Sequence, residues 1–431
     1  MSPPNRKHWL DWQRGLAVLF MVEVHILDAW IVPGGRAGHE PLFDALMFLG
    51  GLAAPGFLYM AGLSQALADD AHARKGLDPV ARRRAAVGRG LWLLGIAYLV
   101  RIFSFVAAGL RGPGYGLPYV LGIDVLSLAG FGMTLAVKMG AWHPRRPRLA
   151  VWGGLAIALC SALWRGAFAW PGWHDVIKVD VLNVLAVGMM LSAFLTVGRP
   201  RTVGVALASG VALLVVFATP WVAASLGWRD LWPYLDRTAA EPWAKLLDVP
   251  AAYLYGLPPR SQFKLFNWVA FLLAGAAVAP LAKGKDRPFA FLGLAALLYA
   301  TGRIIDPWIV LPSQDPVFWW LNAPSWFLTR LALHVGLTGA LQLLPNLVEP
   351  ALRWLTLLGR QSLTGYIVSV ELTYGKLATL LGLTAALPFP PLGWSMVAMA
   401  ALTLGVCWLW ERWLAWERVR LAAARAPAAT A

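Results

Sequence analysis

The sequence predicts an all-α, polytopic membrane protein with about twelve transmembrane helices and both termini in the cytoplasm (N-in/C-in). Three observations predict it. Apolar residues fill 59% of 431 positions and charged residues only 14%, at a mean hydropathy of +0.60, where soluble chains carry roughly 25% charge. A water-soluble fold cannot hide that much apolar surface behind so few charges. The apolar residues also gather into runs of the length that a hydrocarbon core of ~30 Å requires. Finally, lysine and arginine alternate in density between successive inter-run segments.

In chain order the runs are 15–33, 44–68, 91–110, 120–137, 149–168, 181–198, 203–224, 265–282, 288–305, 322–345, 361–382 and 394–411. The first begins just after Arg14 and is long enough to span, so it reads as a retained helix rather than a cleaved signal. With a cytoplasmic N-terminus, 24 of the 37 basic residues fall in inside segments, eight outside and five within the runs. That bias fixes the orientation. It also gives the net charge of +15 a topological meaning that needs no nucleic acid. Residues 1–431 read as one transmembrane domain, with 413–431 a basic cytoplasmic tail. Cys160 and Cys407 both lie in apolar runs, so neither a disulfide framework nor a cysteine metal site is expected.

Arg101, Arg165, Arg303, Arg330 and Lys376 fall inside runs, so several helices must border protein or water. The segments 123–133 and 179–190 share D-V-L followed by G-M. They read either as a duplicated element lining a wet entry or as chance among apolar helices. Outer-loop tryptophans such as Trp228, Trp232 and Trp243 read as lipid anchors, with stacking on a sugar as the functional alternative.

An ionisable side chain at membrane depth costs several kcal/mol unless paired or wet, roughly 2.5 or more, which makes the first run the most informative. It carries Asp11, Arg14, Glu23, His25 and Asp28. His25 follows Arg14 by eleven positions, which at ~100° per residue puts both on one stripe, about 16 Å apart. Asp28 lies one turn beyond His25 on the same side. Glu23 points elsewhere and needs another partner, for which Arg101 and Arg165 are candidates. This places Arg14 at the cytoplasmic end and His25 near mid-membrane.

The opening helix, with D-x-x-R-G at Asp11–Gly15, followed by APGFLYMAG at 54–62, resembles the heparan-alpha-glucosaminide N-acetyltransferase family. The Arg14-to-His25 spacing also resembles the R-X10-H signature of the related acyltransferase-3 proteins. FKLFNWVAFLLAGAAV at 263–278 and LGRQSLTGY at 358–366 are similar to two later elements of the first family. The resemblance implies transfer of an acyl group, acetyl above all, from cytosolic acyl-CoA to a hydroxyl or amine of an extracytoplasmic sugar-type acceptor. It implies an acyl-CoA cosubstrate, no metal, and a setting in a bacterial cytoplasmic (inner) membrane.

Under that reading His25 is the general base, with Asp28 or another carboxylate orienting the imidazole. His39, in the first outer loop, stands near where heparan-type enzymes carry their histidine and is the second candidate. Arg14, the arginine run Arg82, Arg83 and Arg84, and Arg360 are the candidate contacts to CoA phosphates. The late element departs from the family by having Ser369 where a histidine often stands, while Glu371 follows Arg360 by eleven positions. The rival readings are a twelve-helix secondary transporter and a lipid-linked-sugar flippase. Against the transporter stands the short linker between the sixth and seventh runs, where the commonest transporter family has a long loop.

Overall fold

The computed structural model describes residues 7–32, 34–109, 134, 150–157, 180–225, 254, 263–309, 311–312, 322–374, 381–383 and 386–425. Among them the chain forms helices and no strand, apart from one isolated bridge between Ile31 and Leu387. Twelve α-helices are described: α1 His8–Trp30, α2 Glu40–Gly50, α3 Ala53–Arg74, α4 Pro79–Gly109, α5 Val181–Thr196 and α6 Arg201–Ser225. They continue as α7 Leu265–Ala282, α8 Pro288–Ile305, α9 Pro324–Leu343, α10 Arg353–Arg360, α11 Ser362–Tyr374 and α12 Phe389–Arg425.

Among the described residues, five helical stretches are long and apolar enough to cross a membrane: Glu40–Arg74, Arg201–Ser225, Leu265–Ala282, Pro288–Trp308 and Pro391–Arg420. Their outward faces are apolar, with Leu214, Leu297, Phe289 and Trp394 all exposed. A helix face of that kind is stable only against lipid or another apolar surface. The protein is an integral membrane protein.

The chain divides into two compact units. The first comprises Met1–Leu93, Leu185–Val222 and Phe266–Ala431, the second Leu94–Val184 and Ala223–Leu265. In the second unit Asp180 caps α5, its Oδ1 accepting from the amides of Leu182 (2.9 Å) and Asn183 (3.2 Å). Asn183 Oδ1 accepts from the Asp180 amide in return, a reciprocal cap. The second aspartate of the repeated D-V-L is thus engaged as a helix cap, while the first copy, 123–133, lies outside the described residues.

The first unit is built around α1, which packs against α2, α3, α9, α10, α11 and α12. Glycines set the closest approaches. A Cβ on Gly15 would strike Leu355, and one on Gly359 would strike the backbone of Asp11, so α1 and α10 meet with almost no side chain between them. A Cβ on Gly62 of α3 would overlap the Leu272 carbonyl, and one on Gly275 of α7 that of Tyr59. Small residues at such crossings let backbones touch where no hydrophobic drive separates lipid from protein. Trp268 and Phe271 of α7 then pack on Trp326 and Phe327 of α9, with the Phe271 and Phe327 rings 4.4 Å apart.

The run 44–68 is two helices. The break falls at Gly51–Leu52, and Pro55 stands in the first turn of α3, where a proline's missing N–H costs no hydrogen bond. The first run, expected from residue 15, begins at His8, because a hydropathy criterion stops at Asp11 and Arg14 whereas a helix does not. At 37 residues α12 is about 55 Å long, so it passes beyond any ~30 Å hydrocarbon core and makes residues 413–425 helical.

Polar ties join segments that the charge count assigned to one side. Lys7 pairs with Asp286 at 2.6 Å, Lys283 with Asp70 and Arg82 with Asp69, both at 2.9 Å. On the other side, the amide of Val32 donates to the Leu387 carbonyl and those of Ala386 and Leu387 to the Trp30 carbonyl. Asp78 caps α4 by accepting from the amides of Val80 and Ala81, both at 2.9 Å. The Ala81 amide above all holds the Asp78 carboxyl below its ordinary range. Such a group stabilises above the unfolded pKa, and its contribution is lost as pH falls through the depressed folded value. Asp78→Ala is therefore expected to speed amide hydrogen exchange in the first turn of α4 at neutral pH, and to make little difference in acid.

Candidate functional site

The site residues of α1 are carried on one unbroken helix, so the eleven-position offset of Arg14 and His25 is realised as about 16 Å along its axis. At the amino-terminal end, Arg14 lies 3.7 Å from Asp11 and donates to Ser64 Oγ of α3, which donates in turn to the Met60 carbonyl at 2.5 Å. The α1–α10 contact brings Arg360 close by. A cavity of about 630 Å³ is lined by Asp11, Arg14, Arg360, Gln361, Leu414, Glu417 and Arg418. Arg360 is held by Glu411 of α12 at 2.5 Å. Three arginines thus face one opening; Asp11 and Glu411 pair with Arg14 and Arg360 and reduce the net charge, while Arg418 donates its Nε to the Leu414 carbonyl at 3.1 Å.

The arginine run is placed elsewhere on the same unit. Arg82 is bound to Asp69, Arg83 donates to the Val197 carbonyl at 3.3 Å, and Arg84 is exposed. Of the three, Arg84 alone is exposed, and it lies in the field of the Asp78 carboxylate.

Deeper in the unit, α1 is locked to α3 and α9 by a buried chain of polar groups. Gln13 donates to the His334 carbonyl at 3.0 Å and accepts from Thr338 at 2.9 Å, while Tyr59 lies 3.2 Å from Thr338. His334, next to Gly56, therefore belongs to a helix-packing network. Trp12 adds a bond to Thr356 of α10 at 3.0 Å. These bonds tie the amino-terminal half of α1 to α9 and α10 beside Arg14.

His25 stands five residues before the end of α1, about 8 Å from it, so it lies nearer the carboxyl end than the helix centre. Its Nδ1 is buried and has no hydrogen-bond partner among the described residues. The imidazole meets the ring of Tyr374 edge-on, with centroids 5.3 Å apart. The Tyr374 hydroxyl donates to Asp28 Oδ2 at 2.8 Å, and Trp30 Nε1 donates to the Thr373 carbonyl at 3.1 Å. Asp28 is therefore near His25 but engaged with the phenol, not the imidazole. Tyr374 was not legible as a site residue, since it lies 346 positions from Asp28 and belongs to no motif. Glu23 keeps a buried Oε1 without a partner among the described residues. Its expected partners fall outside what is described, Arg165 entirely and Arg101 in its side chain.

His39 is exposed, precedes the first residue of α2, and stacks on Phe389 at 5.3 Å and 26°. The same Phe389 donates its amide to the Gly35 carbonyl and meets Phe43 edge-on. In chain order His25 precedes and His39 follows the residues of α1 and its extension, Trp30 to Gly35, that are clasped to the segment leading into α12. Glu371 sits one turn before Tyr374 on α11. Trp228, Trp232, Trp243 and Lys376 lie outside the described residues. Among the described residues no cluster of histidine, cysteine and carboxylate groups has the makings of a metal site.

Residues 6–111 match the family profile for the catalytic region of heparan-alpha-glucosaminide N-acetyltransferase. The matched stretch contains α1 to α4, with Arg14, His25, Asp28, His39 and the Pro55–Gly62 element, and it bears out the resemblance read from those residues. No curated protein and no solved structure matches the chain.

Proposed function

We propose that the protein is an integral-membrane acyltransferase. It moves an acyl group, acetyl first among the candidates, from cytosolic acyl-CoA to a hydroxyl or amine of an extracytoplasmic glycan or lipid-linked sugar. The observation that carries this reading is the family match over residues 6–111, which includes α1, a helix with an arginine-lined cavity near one end and a histidine near the other.

Arg14, Arg360 and Arg418 suit the phosphates of CoA, because a guanidinium binds phosphate oxygens bidentately. Arg84 and its neighbours Arg82 and Arg83 add to the positive field at the same face. The extended pantetheine arm then carries the thioester along α1 towards His25. There the imidazole takes the proton of the acceptor hydroxyl or amine as its oxygen or nitrogen attacks the thioester carbonyl. The C–S bond breaks, the acyl group stays on the acceptor, and the proton passes on to the departing CoA thiolate. His39 is the alternative base on the acceptor side of the clasp. The whole chain, 1–431, acts as one module in a bacterial inner membrane, with 413–431 as its basic cytoplasmic end.

Binding of acetyl-CoA to purified protein in nanodiscs tests the donor site. Loss of one guanidinium contact to phosphate is expected to cost about 1.5–3 kcal/mol, so Arg14→Ala and Arg360→Ala should each weaken binding at least about tenfold. Unchanged affinity in both variants removes the cavity from the mechanism.

A further inference from the structure

The outer ends of α1 and α11 meet through three contacts that share two consecutive residues. Trp30 anchors on the Thr373 carbonyl, Asp28 accepts from the Tyr374 hydroxyl, and the Tyr374 ring stands edge-on against His25. A carboxylate one turn from a histidine would ordinarily be taken as its orienting partner. Here that carboxylate is bonded elsewhere, and the buried Nδ1 of His25 has no hydrogen-bond partner among the described residues. Among the described residues the ring that meets the imidazole is that of Tyr374, a residue 49% exposed and held through its hydroxyl by Asp28. A tyrosine is suited to both tasks, since its ring supplies a rigid wall and its hydroxyl a polar handle.

We infer that Tyr374 is a positioning residue for His25, holding the imidazole with its ring while its hydroxyl keeps the Asp28 carboxylate away from that imidazole. The inference rests on the acyltransferase reading with His25 as base. It makes the base a histidine–tyrosine pair, in which Asp28 serves the tyrosine. Asp28 can lose its charge without loss of function provided it still accepts a hydrogen bond. The phenol oxygen matters less than the ring.

Initial rates of acetyl transfer by the full chain in nanodiscs, over a range of acetyl-CoA, separate these roles in His25→Ala, Tyr374→Ala, Tyr374→Phe and Asp28→Asn. Tyr374→Ala is expected to lower kcat at least about tenfold with KM for acetyl-CoA unchanged, the pattern of a defect confined to the reacting end. Tyr374→Phe restores most of the rate because the ring is kept. Asp28→Asn stays within about threefold of wild type, far short of the 10²–10⁴ that general-base help is worth. Diethyl pyrocarbonate labelling of His25, read by mass spectrometry, gives a readout independent of turnover. It is expected to be faster in Tyr374→Ala than in wild type or Tyr374→Phe.

Wild-type kcat and labelling in Tyr374→Ala, with His25→Ala inactive, overturn the inference alone. So does an Asp28→Asn defect as deep as that of His25→Ala, which makes the base a histidine–carboxylate pair. Full transfer by His25→Ala removes the underlying reading instead. If Tyr374→Ala does not fold, Tyr374→Leu, which keeps bulk without the aromatic ring, takes its place in both measurements, and wild-type kcat and labelling there overturn the inference.

Discussion

His25→Ala is expected to lower acyl transfer by about 10²–10⁴-fold while leaving acyl-CoA affinity intact. The expectation follows from where His25 stands. It lies about 16 Å along α1 from Arg14, and the Gln13, Trp12 and glycine contacts that seat α1 all lie on the Arg14 side of it. Losing the imidazole therefore removes the proposed proton acceptor without disturbing the arginine-lined cavity. His39→Ala is expected to act differently. His39 is exposed and stacks on Phe389 at the clasp, so its loss should raise KM for the acceptor and leave kcat within about tenfold of wild type. Steady-state kinetics with both substrates varied checks the pair. Full activity of His25→Ala with an inactive His39→Ala transfers the base to the outer loop.

Gly62→Leu and Gly275→Leu are expected to abolish stable folding, and even the alanine variants should be severely destabilised. Overpacking a core costs typically about 1–3 kcal/mol where side chains can give way. At this crossing the obstacle is the carbonyl of Leu272 or Tyr59, so relief requires α3 and α7 to move apart. That movement would reach the bond between Tyr59 and Thr338 and the Trp268 and Phe271 contacts of α7 with α9. Helical glycines with open space around the Cβ position, such as Gly210 and Gly293, serve as controls. Alanine there should be neutral or slightly stabilising, by up to about 1 kcal/mol. Thermal unfolding followed by size-exclusion chromatography distinguishes the two classes, and equal melting points for Gly62→Ala and Gly293→Ala would contradict the close crossing.

The same glycines explain how far the sequence could be read. D-x-x-R-G and LGR are separated by more than 300 positions, yet Gly15 and Gly359 let α1 and α10 meet. Gly62 and Gly275 join the next two motifs in the same way. The motifs were recognisable as an ordered set, and much of their content is helix packing. Helix α8 falls at 288–305 as expected, and α7 ends at Ala282 as expected, because a short charged loop ending at Pro288 separates them; near its start α7 is kinked, with non-helical backbone at Phe266 and a positive φ of 74° at Asn267. The Arg14–His25 stripe was legible because both residues lie on one helix and helical spacing is fixed. The pairing of Arg360 with Glu411, the entry of Arg418 into the cavity, and Tyr374 beside His25 were not legible. Each depends on two helices meeting across long stretches of chain, and no local periodicity encodes that distance.

In the proposed reaction the acyl group crosses the membrane along α1, from the face of Arg14 to the face of His39. Proteoliposomes with the protein in one orientation, acetyl-labelled CoA on the Arg14 face alone and a glycan acceptor on each face, measure this directly. Labelled product is expected only on the face opposite the donor, with one CoA released per acetyl transferred and no product from His25→Ala. Product on the donor's own face, or uptake of the acceptor with no CoA released, would contradict it.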